Sequence, residues 1–133
     1  MLSLVLFKGN EMKNNRIIKF RIWDIKLQTF LPIKESDSFN LYYFTNRPEE
    51  YVSQQFTGLL DKNSKEIYEG DIVKCILDKD SQYICSVTFS GGAYWFSGKT
   101  SFPLLQTYNK QLEIIGNIFE TPDAVQKTTD VLD

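Results

Sequence analysis

With 133 residues the chain is sized for one ordinary domain rather than two, and its 42% hydrophobic and 14% aromatic shares suit a packed, β-rich core. A net charge of −2 excludes a bulk attraction to DNA or to a membrane surface. Histidine is absent, which removes the commonest general base, metal ligand and pH switch, and two cysteines are too few for a disulfide scaffold or a zinc site, so a reducing cytoplasm is expected.

Residues 1–7 are apolar, but Lys8 follows them and no small-residue cleavage site comes after, so neither a membrane span nor a signal peptide is expected. Met12-Lys-Asn-Asn reads as a natural start, and Lys8 to Glu11 can be encoded by a purine-rich, ribosome-site-like run. Residues 1–11 therefore read as a translated upstream leader, within a flexible stretch over 1–15. A single domain is expected over 16–120 and a frayed polar tail over 121–133. Charge is uneven: bases gather between Lys8 and Lys26, while acids outnumber bases from Asp61 onward. That basic stretch is either the solvated face of a strand or a site for phosphates.

Arg16 to Trp23 alternates, with Ile18, Phe20 and Ile22 on one face and Lys19, Arg21 and Trp23 on the other, the period of a half-buried strand. A turn over 24–26 and a return strand over 27–33 would complete a hairpin. Residues 35–38 form a polar loop, and 39–44 look strand-like. Asn46-Arg47-Pro48-Glu49-Glu50 carries a helix-start signature, yet 51–57 also reads as a strand; helix and strand both stay open for 46–56.

The stretch from Thr57 to Cys75 organises the chain. Gly58 makes a corner, a polar turn comes next at Asp61, Asn63 and Ser64, and Gly70-Asp71 launches the run Ile72-Val73. Val73, Cys75 and Leu77 share one face, as do Tyr83, Cys85, Val87 and Phe89. Pairing Leu77 with Tyr83 sets Cys75 opposite Cys85 and Val73 opposite Val87. Gly91-Gly92 is a two-residue hairpin signal that pairs Phe89 with Tyr94 and Val87 with Phe96, sending Trp95 to the other face beside Thr88. A loop is expected over 99–103 and a last strand over 112–119, with Leu112, Ile114 and Ile118 on one side and a bulge or close approach at Gly116. A short helix could begin at Thr121.

The chemistry on offer is thin. Asp61, Glu66, Glu69 and Asp71 could do acid–base work or hold a metal, and Asp61-x-Asn63 imitates the start of a calcium loop. The imitation fails at Lys65, Glu66 and Ile72, so turn-making is the plainer role for Asp61 and Asn63. No phosphate-binding glycine motif is present, and a triad is excluded without histidine. Cys75 and Cys85, facing each other, could bridge; two buried thiols suit a reducing compartment better. Trp23 and Trp95 fall opposite their strands' apolar sets. Each either anchors a partner or base, or is covered by a second layer from the 39–56 region or from another subunit.

Four stretches in order resemble the YopX family, whose members are encoded by bacteriophages and prophages: Ile18-Lys-Phe-Arg-Ile-Trp-Asp24, Gln55-Phe-Thr-Gly-Leu-Leu-Asp61, Lys65-Glu-Ile-Tyr-Glu-Gly-Asp-Ile-Val73 and Leu112-Glu-Ile-Ile-Gly-Asn-Ile-Phe-Glu120. The resemblance departs at Ser64, where a glycine is common. It implies a phage or mobile-element origin and self-association. It implies no established activity, and no catalytic residue carries over.

The fold expected is mainly β, a β-rich α+β chain: a small SH3-like, partly open barrel on a three-strand meander, with an added N-terminal hairpin and at most one or two short helices. The function expected is non-enzymatic, with no cofactor or metal, through self-association and binding of a protein partner. The alternative is nucleic-acid binding. Candidate binding residues are Arg16, Lys19, Arg21, Trp23 and Trp95, with Lys13 added for nucleic acid. Gly58, Asp61, Gly70, Asp71, Gly91, Gly92 and Gly116 are expected to shape the fold. A small hydrolase using the carboxylates ranks last.

Overall fold

The computed structural model describes residues 16–33, 40–76, 82–98, 101–103 and 111–124. Among the described residues, nine strands and one short helix run in order: β1 (Phe20–Asp24), β2 (Thr29–Phe30), α1 (Leu41–Thr45), β3 (Tyr51–Leu60), β4 (Glu66–Tyr68), β5 (Asp71–Ile76), β6 (Gln82–Ser90), β7 (Ala93–Ser97), β8 (Ser101–Pro103) and β9 (Leu112–Asn117). They make two antiparallel sheets, one ordered β2-β1-β3-β4 and the other β8-β7-β6-β5-β9. One of the two sheets is curled into a half-barrel. The expected mainly-β class, the meander and the N-terminal hairpin are all present.

The twin glycines act as expected. Gly91 and Gly92 take φ of 60° and 82°, the positive values a primed two-residue turn needs. Phe89 then pairs with Tyr94, Val87 with Phe96 and Thr88 with Trp95. On the other side of β6 the expected register is two residues out: Cys75 pairs with Tyr83 and Val73 with Cys85. A slide of two keeps every side chain on its face, so alternation cannot detect it. Val73, Cys75, Cys85 and Val87 therefore still point inward, and with Phe96, Leu112 and Ile67 they form the buried core. Ile67 comes from β4 of the other sheet, and Leu59 of β3 packs against the same cluster, so the two sheets share one core.

Several expectations are corrected. The first strand begins at Phe20 rather than Arg16, and Ile18 is exposed. Residues 41–45 form a helical turn instead of a strand, because the Asn40 side chain accepts from the Tyr43 N–H and caps it. Asn46 ends that helix and 48–50 turn into β3, which resolves the ambiguity over 46–56 in favour of the strand. Residues 101–103 are a strand on the edge of β7, not a loop. In β9 the ladder to β5 slips between Gly116 and Ile114. The extra residue, Ile115, changes the parity of the residues beyond it, so Ile118 leaves the face of Leu112 and is exposed. Gly116 is also a close approach, since a Cβ there would overlap the Thr121 hydroxyl. Thr121 to Ala124 makes a turn. The expectations for 1–15, 34–39, Leu77, 104–110 and the tail beyond 124 lie outside the described residues.

Candidate functional site

The two sheets meet where β4 turns into β5, at Glu69-Gly70-Asp71. Gly70 sits at φ 80°, and a Cβ there would overlap the Gln54 amide. Only glycine fits such a corner. Its N–H donates to the Val87 carbonyl and its own carbonyl accepts from the Ile118 N–H, both at 2.8 Å, so one residue stitches β6 to the segment after β9.

Arg21, from β1 of the other sheet, reaches into this corner. Its Nη2 lies 2.8 Å from Asp71 Oδ1 and donates to the Glu69 carbonyl at 3.1 Å, while Nε donates to Gln54 Oε1 at 2.8 Å. The guanidinium lies against the rings of Phe30 and Tyr68, at 4.5 and 4.9 Å. Asp71 Oδ2 accepts from the Tyr68 N–H, and Glu69 Oε1 accepts from the Gln55 N–H. The Asp71 side chain is only 3% exposed. Burial is the leading influence on its carboxyl and, outweighing Arg21 and the Tyr68 amide, holds it above the usual carboxylate range.

The other basic and aromatic candidates separate. Lys19 pairs with Glu66 at 2.7 Å and lies over the Phe56 ring. Trp23 is buried at 4% exposure, stacked on Phe119 with centroids 4.6 Å apart and met edge-on by Phe30. Its covering layer thus comes from β2 and from the residues after β9, not from the 39–56 region. Trp95 is half-buried on the face of β7 opposite Phe96, its indole N–H donating to the Ser90 carbonyl. Arg16 is exposed near the Tyr94 hydroxyl. The structure therefore does not assemble Arg16, Lys19, Arg21, Trp23 and Trp95 into one surface.

Asp61 turns its own backbone and does more. Oδ1 accepts from the N–H groups of Asn63 and Lys65, and Oδ2 accepts from the Ile114 N–H of β9. Burial pushes this carboxyl up, but the three N–H donors and the Lys65 charge outweigh it and hold it below its ordinary value. Gly58, at φ 88°, lies where the β3–β4 register shifts. Cys75 and Cys85 are free and buried. Burial raises both thiols, Cys85 to about 11, so neither is a thiolate at neutral pH. Among the described residues no group of three or more His, Cys, Asp or Glu is placed to hold a metal ion, and no helix is long and apolar enough to cross a membrane.

The surface with the composition of an interface was missed in sequence. It lies where α1, the 47–50 turn and the β1–β2 turn converge. The Arg47 guanidinium stacks on Tyr43 at 3.9 Å and pairs with Glu50 at 3.8 Å. Tyr43 and Phe44 both meet Tyr51, and the Ile25 N–H donates to the Glu50 carbonyl. Tyr51 opposes Asp24 in the β1–β3 ladder. Its phenol is raised, first by burial and then by Tyr43, Asp24 and Glu50, which cluster around it. Tyr42 of α1 and Leu27 of the β1–β2 turn stand 72% and 65% exposed. The one signal available was Asn40, a capping residue ahead of an aromatic run that otherwise reads as a strand.

A family model described as YopX protein matches residues 8–126. A crystal structure of protein EF1440 from Enterococcus faecalis is similar to this chain with a TM-score of 0.60 and 24% identity, covering 84% of this chain and 99% of that one; at that identity the likeness speaks for the fold. No curated protein matches the chain.

Proposed function

The chain belongs to the YopX family, and we propose that it is a non-enzymatic accessory protein, encoded by a phage or prophage and working in the bacterial cytoplasm, that self-associates and binds a protein partner. The observation that carries this reading is the aromatic corner around Tyr43 and Arg47. Tyrosine and arginine are the residue types that dominate binding energy at protein interfaces, and here they are held on the surface with Tyr42 and Leu27 turned to solvent. Two buried, protonated thiols suit a reducing compartment.

The geometry favours the nucleic-acid reading less. Lys19 and Arg21 already hold carboxylates of their own chain, and Trp23 is inside. The test is affinity capture of the full chain from cells carrying the prophage, with protein and nucleic acid both identified. Recovery of a protein that a Tyr42→Ser variant no longer captures supports the reading. Recovery of nucleic acid alone, lost steeply as salt rises, would replace it.

A further inference from the structure

We infer that Cys75 and Cys85 form a buried site for a soft, thiol-seeking divalent ion that takes two ligands in line, mercury(II) being the type. The site stands apart from the self-association reading and does not depend on it. Both thiols are free and almost wholly buried. They lie on neighbouring strands within one apolar cluster that includes Val73, Val87 and Phe96. Cys75 pairs with Tyr83 and Cys85 with Val73, so the two cysteines are diagonal neighbours, near enough for the charge of one to weigh on the other. Gly98 supplies the way in. It is exposed, and a Cβ there would fall 3.2 Å from Cys85 Sγ and 3.1 Å from the Ile84 carbonyl, so bare backbone is all that this residue sets against the thiol.

Distance and charge choose the occupant. Diagonal Cα atoms on adjacent strands stand about 7–8 Å apart, at or beyond the limit a disulfide spans without moving the backbone. An inserted ion closes that gap: with a thiolate–metal bond of about 2.3 Å, two bonds in line set the sulfurs about 4.6 Å apart. Zinc wants four ligands, but the chain has no histidine and, among the described residues, no third carboxylate or thiol joins the pair. A monovalent ion held by two thiolates leaves a net negative charge in an apolar core, which is costly. A divalent ion held by two thiolates is neutral there. On binding, two S–H bonds break, two sulfur–metal bonds form and two protons leave to solvent. No electron changes hands, so no oxidant is needed.

Urea unfolding of the full chain with and without an equivalent of mercuric chloride, in excess of a small monothiol, tests this. The chain has only these two cysteines, so mass spectrometry and a count of thiols still open to alkylation both report on this pair. The expected result is a single mercury per folded chain, both thiols closed, and a urea midpoint moved upward, since an ion that prefers the folded pair stabilises it. Cys75→Val and Cys85→Val, each checked for folding by circular dichroism, should weaken binding at least about a hundredfold, because the second sulfur acts at high effective concentration. Gly98→Ala keeps both sulfurs and should slow uptake without changing the stoichiometry. A midpoint that mercury moves downward places binding in the unfolded chain and overturns the site. So does a single-cysteine variant that holds the ion as tightly as wild type. Uptake at an unchanged rate in Gly98→Ala overturns Gly98 as the route.

Discussion

Replacing Arg21 with methionine isolates the contact that joins the two sheets. The thioether keeps an apolar stem against Phe30 and Tyr68, but the ion pair to Asp71 and the bonds to Gln54 and the Glu69 carbonyl are lost. Asp71 is left with one N–H donor at 3% exposure. Removing one partner of a buried pair costs about 3–5 kcal/mol. Asp71 is already held above the ordinary carboxylate value by burial, with Arg21 opposing that rise, so without Arg21 it climbs further. A carboxyl raised in the folded state binds a proton that the unfolded chain has released. Stability then falls as pH rises from the unfolded value through the folded one, with a limiting slope of about 1.4 kcal/mol per pH unit. Urea unfolding followed by tryptophan fluorescence, reporting the buried Trp23 stack, measures this. Arg21→Met should lose about 3 kcal/mol or more near pH 7 and regain part of it near pH 5, and Arg21→Met/Asp71→Asn should lose less than the sum of the single changes. A loss under about 1 kcal/mol with additive single variants is the behaviour of an exposed pair, and it would show that this contact does not hold the sheets together.

Asp61→Ala orphans three N–H groups and unties the turn from β9, so a loss of about 3 kcal/mol is expected by urea titration. Because the Asp61 carboxyl is depressed in the fold, its contribution is present above the unfolded value and lost as pH falls through the folded one; the gap between wild type and variant should narrow in acid. Ser64 holds φ 63°, a left-handed conformation that strains a side-chain-bearing residue, so Ser64→Gly should stabilise by about 0.5–1 kcal/mol after the entropy of the added glycine; a thermal melt that falls would count against this. Gly70→Ala combines positive φ with overlap on Gln54 and should lose about 2–3 kcal/mol, judged by the same urea titration.

How much could be read in advance depended on range. The β6–β7 hairpin was legible to the residue because Gly91-Gly92 fixes both loop length and parity. Across β5 and β6 only the face was legible, since an alternating pattern is blind to a slide of two. In β9 the glycine announced an irregularity, but not that the inserted residue would turn Ile118 outward. Trp23 looked like an outward ring because its cover, Phe119, arrives from the far end of the chain. The bond between Arg21 and Asp71 joins different sheets, and no spacing records it. Helix α1 is a single capped turn whose aromatic content mimics a strand, so the most exposed tyrosine of the described residues was hidden inside a mistaken element.

Hydroxyl-radical footprinting of the full chain, dilute and then concentrated, shows whether the aromatic corner is the working surface. Tyr42 and Tyr43 should be labelled in dilute solution and protected at high concentration, while Trp23 stays unlabelled throughout. Equal labelling of both tyrosines at all concentrations, with protection appearing instead at Phe89 or Trp95, would place the working surface elsewhere.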